Sequence, residues 1–312
     1  MKKIDVVDLF CGVGGMSLGF ANAGFNVISA YDNWDKAVKV YKKNFSHPVY
    51  LEDLSQFNDY YKLEDADIII GGPPCQDFSS AGKRNEYGVN ANLTIKYADI
   101  ITKISPHFFV MENVDRVEKS QAFFQAEHML KKAGYGITKI VLDASKTNVP
   151  QKRKRFFMIG ELNGKDNSLY PYLVENLNEK SMTMRDYFGD SLGINHYYRH
   201  PRNYNRRGIF SMDEPSPTIR GVNRPLPSGY KGHPRDSSEV NNTIRPLTTI
   251  ERSYVQTFPV GFFDNTIPKT HIEQMIGNAV PVNLAKYVAE CLKNYINKEN
   301  IKIGKKQLSF QL

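Results

Sequence analysis

The sequence predicts an α/β protein: a Rossmann-like, doubly wound, mostly parallel sheet with a second, smaller, loop-rich domain. Three observations predict it. In the first half, short apolar β-type runs alternate with stretches of helical period, the pattern of βαβ crossovers. A glycine-rich turn joins the first run to the first helical stretch, as in cofactor-binding sheets. Beyond about Ser181 the periodicity gives way to Asn, Arg, Tyr, Gly and Pro without a sustained pattern.

In chain order, strands are expected over 4–10, 27–31, 67–70 and 108–111. Helices are expected over 16–23, 34–45, 93–104 and 122–133, one after each strand. Further strands are expected over 137–142 and 155–159. The irregular region holds HYYRHPRNYNRRG and GVNRPLPSGYKGHPRDSS, and helical character returns over 248–258 and 282–297. The last of these is apolar at Leu284, Val288, Leu292 and Tyr295, a face that packs on a core. The expected division is a catalytic, cofactor-binding domain over 1–185 and 270–312 and a small target-recognition domain over 186–269.

Lys and Arg exceed Asp and Glu by 41 to 33 in 312 residues, a net charge of +8, with the excess late in the chain around Arg199 to Arg207 and Lys298 to Lys306. Such a balance suits a polyanionic partner. No stretch approaches the roughly 20 apolar residues of a membrane span, and the first apolar run is cut short by Asp8. A cytoplasmic monomer is expected. Cys11, Cys75 and Cys291 lie far apart and form no C-x-x-C pair, which argues against structural zinc and a disulfide framework, and no metal is expected.

DLFCGVGGMSLGF, residues 8–20, follows a strand and opens a helix, where a nucleotide-type cofactor lies against glycine backbone. Gly12, Gly14 and Gly15 permit close approach and unusual φ values, although a tight turn without a ligand would use the same glycines. Asp32, about twenty residues on at the end of the second strand, is placed to accept both ribose hydroxyls. That geometry fits NAD and S-adenosylmethionine alike. The spacing is not G-x-G-x-x-G, and Asp8 puts a charge there that is unfavourable near a pyrophosphate but tolerable near a methionine ammonium group. Both points favour S-adenosylmethionine.

GGPPCQDFS, residues 71–79, ends a strand with two glycines and fixes φ at two prolines, so Cys75 is held rigidly at the carboxyl edge of the sheet. A thiolate there is a strong nucleophile. Cys11 and Cys291 read as small buried hydrophobes. FFVMENV, residues 108–114, brings Glu112 and Asn113 to the same edge, where a partly buried carboxyl suits a general acid. VPQKRKR, residues 149–155, places Gln151, Arg153 and Arg155 at alternate positions, so their side chains are expected on one strand face, able to orient a carboxylate or phosphate.

DLFCGVGG, GGPPCQDFS, MENV, QKRKR, RPLTTIERSYVQTFP and QMIGNAVP occur in the order and spacing of the DNA cytosine-5 methyltransferases, and the chain resembles that family over nearly its whole length. The resemblance implies S-adenosyl-L-methionine as cofactor and double-stranded DNA as partner. It places Phe10 near the adenine, the backbone of Gly12, Val13, Gly14 and Gly15 in the cofactor loop, Asp32 with Asn33 at the ribose, and Asp53 with Leu54 at the adenine edge. Gly72, Pro74, Leu93 and the backbone of Asn278, Ala279 and Val280 complete the cofactor site. It makes Cys75 the nucleophile, Glu112 the group that holds and protonates cytosine N3, and Arg153 and Arg155 the groups that orient the base and the carboxylate. Asn113 and Gln151 match framework positions. Two residues depart from the family pattern: Asp32 stands where Glu is usual, and Cys11 where Ala is frequent.

The chemistry follows. Cytosine C5 is a poor nucleophile until a thiolate adds to C6 and N3 is protonated, and that attack runs perpendicular to a ring face that the stacked duplex covers, so the base must be flipped out. Residues 79–92, with Gly82 and Gly88 as hinges, are expected to form a lid in which Ser79, Lys83 and Arg84 touch DNA. In the small domain Arg206, Arg207, Arg220 and Arg224 are the expected DNA contacts, beside Arg199, Arg202 and Arg235 and interleaved with Tyr197, Tyr198 and Tyr204. A compact chain of this kind suits a restriction-modification enzyme whose cognate endonuclease acts on the same site without a stable complex.

Three other functions compete. Transfer-RNA cytosine methyltransferases resemble the same family but carry a Cys-Phe-Thr motif, and here no cysteine lies between Cys75 and Cys291. A non-catalytic DNA-binding relative would be expected to lack the thiol, the carboxylate or the glycine loop. A dinucleotide-dependent dehydrogenase leaves PPC, ENV and QKRKR unexplained.

Overall fold

The computed structural model describes residues 3–63, 66–74, 89–203, 205–264 and 266–299. Cys75, Ser79, Lys83, Arg84 and Tyr204, and nearly all of the expected lid, lie outside the described residues. The chain forms two compact units. Unit 1 comprises Met1–Leu142, Lys154–Asn176 and Lys286–Leu312, and unit 2 comprises Asp143–Arg153 and Leu177–Ala285.

The first strands and helices of unit 1 alternate as β1 (Asp5–Leu9), α1 (Gly15–Asn22), β2 (Asn26–Asp32), α2 (Asp35–Asn44), β3 (Val49–Leu51) and β4 (Ile68–Gly71). They continue as α3 (Val89–Ile104), β5 (Phe108–Val114), α4 (Gln121–Lys132) and β6 (Tyr135–Asp143). After β7 (Gln151–Lys152) comes β8 (Lys154–Leu162). Seven of these strands form one sheet in the order β3-β2-β1-β4-β5-β8-β6. The pairs β2 with β3, β1 with β2, β1 with β4 and β4 with β5 are parallel, whereas β8 runs antiparallel to β5. This is the α/β fold expected, with one strand reversed.

Strand burial explains the sequence pattern. Every residue of β4 is buried, as are Val6, Val7, Asp8 and Leu9 of β1, so these strands read as continuous apolar runs rather than alternating ones. Gly71 is required where β4 meets β1, because a Cβ there would lie 2.6 Å from the Leu9 carbonyl oxygen and 2.8 Å from the Tyr97 ring. Tyr97 of α3 donates to the carbonyls of Ile69 and Val110, both at 3.1 Å, pinning that helix across β4 and β5. Ser120 caps α4 by accepting from the Phe123 amide at 3.2 Å.

The order of strands creates the position for chemistry. From β1 the chain proceeds outward to β2 and β3, then returns to place β4 on the other side of β1. The carboxyl ends of β1 and β4 therefore flank a topological switch point, where ligands of open α/β sheets bind. The glycine loop follows β1 there, and Gly72, Pro73 and Pro74 follow β4.

After α5 (Tyr170–Glu175) of unit 1, unit 2 has little regular structure. It holds α6 (Met184–Phe188), β9 (His196–Tyr198), β10 (Ile209–Ser211), β11 (Ser216–Pro217), α7 (Thr249–Val255) and α8 (Lys269–Asn278). Strands β9 and β10 pair antiparallel, and β11 pairs parallel with β7. The last helix, α9 (Val282–Lys298), begins in unit 2 and continues into unit 1. Sequence periodicity left α8 unassigned. Tyr197 and Tyr198, expected on a surface, are each 1% exposed and form core of unit 2, Tyr198 with Ile209 and Ile244. They cannot interleave with DNA-facing arginines. No helix among the described residues is long and apolar enough to cross a membrane.

Candidate active site

The glycine loop of unit 1 is shaped by three left-handed residues, Phe10, Gly12 and Gly14. At Gly14 (φ +89°) an added Cβ would lie 2.5 Å from the Phe45 ring, so the loop packs directly on α2. At Gly12 (φ +54°) an added Cβ would meet nothing within 4 Å among the described residues, so they leave the loop open on that side. Asp32 ties the loop to the end of β2, accepting from the Gly12 amide on Oδ2 and the Trp34 amide on Oδ1, both at 2.8 Å. Each carboxylate oxygen keeps a further lone pair for a ribose hydroxyl.

Beneath the loop lies a polar chain. Ser17 Oγ donates to Asp8 Oδ2 at 2.5 Å, Tyr41 OH donates to Ser17 Oγ at 2.7 Å, and His47 Nε2 lies 2.7 Å from the Tyr41 hydroxyl. Asp8 is 1% exposed, and its Oδ1 has no hydrogen-bond partner among the described residues. Burial lifts its carboxyl to about 7, against the opposing bond from Ser17 and with added repulsion from Asp32. Burial, then the nearby Asp8 and Asp32, pushes the Cys11 thiol well up, and both Cys11 and Cys291 are buried. The open side at Gly12, the ribose-ready Asp32 and the unpartnered acceptor on Asp8 together fit a cofactor carrying ribose and an ammonium group.

Around this loop the other expected cofactor residues of unit 1 divide. Val13, Leu54 and Leu93 are buried, Leu54 within the main core, while Asn33 and Asp53 are exposed. Asp53 also accepts from the Ser55 amide at 2.9 Å, capping a short helical turn over Leu54–Gln56. Gly72 and Pro74 are half-buried at the end of β4.

At the neighbouring edge, Glu112 of β5 pairs with Arg155 of β8, Nε to Oε1 at 2.8 Å. Glu112 Oε2 lies 3.3 Å from where a Gly72 Cβ would stand, so glycine there makes room for the carboxylate. Asn113 Nδ2 donates to the Pro73 carbonyl at 3.1 Å and thus anchors the backbone that follows β4. Thus Glu112, Asn113, Arg155 and the residues leading to the cysteine converge at the carboxyl end of β4.

Arg153 does not share a strand face with Arg155. The chain leaves β7 at Lys152 and enters β8 at Lys154, and these strands belong to different sheets. Arg153 is 1% exposed and donates within unit 2 to the carbonyls of Ile219, Gly277 and Ala279, each at 3.0 Å. Both of its terminal nitrogens are thereby bonded to backbone carbonyls. Asn278 is exposed, Ala279 half-buried and Val280 buried.

Unit 2 gathers positive charge. Arg202, Arg206 and Arg224 are exposed, and Arg220 is half-buried with its guanidinium donating to the His200 carbonyl. Burial, followed by repulsion from Arg202, Arg224 and Arg206, lowers the pKa of Arg220. Burial and then Arg220 bring Arg199 down to about 9. Arg207 differs, since Glu214 neutralises it, Ser237 accepts from it at 2.9 Å, and Phe210 lies beneath it. Among the described residues no group of His, Cys, Asp and Glu could hold a metal ion. Sequence reasoning missed the roles of Gln256, Ser17, Tyr41 and His47; Gln256 and Ser17 stood in motifs, but their partners come from distant chain.

Comparison with known proteins completes the assignment. The chain is 55% identical over 294 residues to the type II methyltransferase M.HindV of Haemophilus influenzae, covering 93% of this chain and 96% of that one. It is 52% identical over 295 residues to M.HgiDI of Herpetosiphon aurantiacus, covering 93% and 94%. In fold it resembles the S. pombe Dnmt2 methyltransferase, with a TM-score of 0.68 at 17% identity over 96% of this chain and 100% of that one. The profile of the C-5 cytosine-specific DNA methylases matches residues 4–294. The protein thus belongs to the C-5 cytosine-specific DNA methylase family and is a DNA cytosine-5 methyltransferase.

Proposed function

We propose that the protein methylates C5 of a flipped-out cytosine in a short double-stranded DNA sequence with S-adenosylmethionine as donor, as the modification enzyme of a type II restriction-modification system. The observation that carries this reading is the Glu112–Arg155 pair beside Gly72, at the strand edge from which the chain continues directly to Cys75. The relatives that share more than half of their residues with this chain are named type II methyltransferases, which supports the biological role. A cognate endonuclease would act on the same site independently.

S-adenosylmethionine, when bound, supplies an electrophilic methyl group on a sulfonium. Phe10, the Gly12 to Gly15 backbone, Asp32, Asn33, Asp53, Leu54, Gly72, Pro74 and Leu93 hold it, together with the backbone of Asn278 to Val280. The Cys75 thiolate adds to cytosine C6 while Glu112 holds N3 and gives it a proton, which makes C5 electron-rich. Arg155 fixes the carboxylate in place. Loss of the C5 proton from the methylated ring to water then breaks the C6–sulfur bond and releases the thiolate, while N3 returns its proton to Glu112. Holding the base outside the stack costs a few kcal/mol, which contacts to DNA offset. Ser79, Lys83 and Arg84 with the arginines around Arg220 supply those contacts, and the region 186–269 serves target recognition.

The test is bisulfite sequencing of DNA from a methylation-free bacterial host expressing the protein or its Cys75→Ser variant. Cytosines protected in one short motif by the wild type alone are expected. No protection by folded wild-type protein would overturn the reading and favour an RNA substrate or a binding role.

A further inference from the structure

Residues 218–222, Thr-Ile-Arg-Gly-Val, have no regular secondary structure, yet side chains hold most of their peptide groups. Arg199 donates to the Thr218 carbonyl at 2.8 Å, and the Thr218 hydroxyl donates to the Lys152 carbonyl at 2.8 Å. The Ile219 amide donates to Gln151 Oε1 at 2.8 Å, and the Ile219 carbonyl accepts from Arg153. The Arg220 carbonyl accepts from Arg252, which is itself paired with the buried Glu273. A segment fixed so completely sets where the Arg220 side chain emerges.

The same side chains grip a second segment. The other terminal nitrogen of Arg153 donates to the carbonyls of Gly277 and Ala279. Gln151 donates to Gln256 Oε1 at 2.8 Å, and Gln256 Nε2 donates to the carbonyls of Ile276 at 2.5 Å and Ala279 at 3.1 Å. The two segments also touch directly. A Cβ on Gly277 would stand 2.1 Å from the Gly221 amide nitrogen and 2.4 Å from the Arg220 carbonyl carbon. Both segments are short, half-buried at their junction and bonded through one rigid guanidinium fork, so neither can shift without disturbing the other.

We propose that Arg153 is a positioning residue that couples DNA contact at Arg220 to cofactor contact at Asn278–Val280, so that filling either site tightens binding at the other. This rests on the methyltransferase reading above, which assigns the DNA role to Arg220 and the cofactor role to Asn278–Val280. Linkage requires the coupling to be reciprocal. Arginine suits the task because its fixed fork spans carbonyls on two segments, whereas the lysine ammonium is a single point of attachment on a flexible stem.

The experiment measures the affinity of a fluorescent duplex carrying the bisulfite-mapped motif, by anisotropy, with and without saturating S-adenosylhomocysteine. Wild-type protein should bind the duplex about tenfold more tightly with the cofactor product present, within the usual range for coupled sites. Arg153→Lys should reduce that ratio to near one while each ligand alone binds within about threefold of wild type. Gly277→Ala, which leaves Arg153 intact but pries the segments apart, should do the same and carries the test if Arg153→Lys does not fold. A wild-type ratio near one, or a ratio unchanged in folded variants whose two separate affinities fall in parallel, overturns the proposal. Absence of any mapped motif instead overturns the methyltransferase reading, and is seen before this experiment begins.

Discussion

Arg155 reaches diagonally across the antiparallel β5–β8 pair to place its Nε 2.8 Å from Glu112 Oε1. A largely buried carboxylate alone would favour its neutral form, and a guanidinium beside it favours the charged form. The pair therefore holds the Glu112 carboxyl group in one orientation at the sheet edge.

Glu112→Gln retains shape but cannot donate or accept the proton. Single-turnover methyl transfer should fall by about 10²- to 10⁴-fold, with S-adenosylhomocysteine affinity by calorimetry within about twofold of wild type. Arg155→Ala should also slow the reaction, and the double variant should be slower than either by less than the product of the two effects. Full additivity would separate the roles of the two residues.

Asp32 accepts two backbone amides at 2.8 Å and is left with lone pairs directed at the loop. Asp32→Asn replaces one acceptor oxygen with a donor that opposes the Gly12 or the Trp34 amide. S-adenosylhomocysteine binding should weaken roughly tenfold or more, with little change in DNA affinity measured without cofactor.

Asp8 gives the fold a pH dependence of defined sign. The unfolded chain releases this proton near 3.8, whereas the folded chain holds it to about 7 because the carboxyl is buried. Between those values only the folded state carries the proton, so the contribution of Asp8 to stability is greatest below about 4 and is lost as pH rises through about 7. At about 1.4 kcal/mol per unit, the loss is on the order of 4 kcal/mol. Thermal unfolding of Asp8→Asn and wild type between pH 5 and 8 should show wild type falling relative to the variant as pH rises. Parallel curves would mean that Asp8 is already ionised in the folded state.

Gly14→Ala should destabilise unit 1 more than an ordinary surface substitution. The new methyl would lie 2.5 Å from Phe45 and 2.8 Å from Tyr41 on a backbone at φ +89°. Left-handed strain and overpacking together cost roughly 2–4 kcal/mol. The measurement is the denaturation midpoint; Gly12→Ala, which meets nothing within 4 Å among the described residues, is the control for backbone strain alone.

The parallel sheet was legible because β1, β2, β4 and β5 are local runs whose burial is written in their own composition. Glu112, Asn113 and Arg155 were legible because each stands at a strand end whose register places it at the switch point. Arg153 was misread because alternation implies one strand face only if the strand is continuous, and the chain changes sheets at that residue. Tyr197 and Tyr198 were misread because an arginine-rich neighbourhood says nothing of which side chains turn inward. The chain from Asp8 through Ser17 and Tyr41 to His47 joins residues from four neighbouring elements and loops, and such side-chain networks leave no periodic trace.

Helix α9 closes unit 1 from the far end of the described chain. Lys293 donates to the Ala23 carbonyl at 2.8 Å, Tyr295 donates to Glu161 at 2.7 Å, and the Tyr295 ring meets Phe108 edge-on at 6.3 Å. During synthesis the sheet emerges first and waits for this helix while residues 177–285 of unit 2 are made. Nascent unit 1 therefore exposes an apolar face until that stretch is complete, and contacts between such distant residues make its final closure a slow step. Ribosome-bound chains ending before α9 should accordingly be the species that chaperones capture.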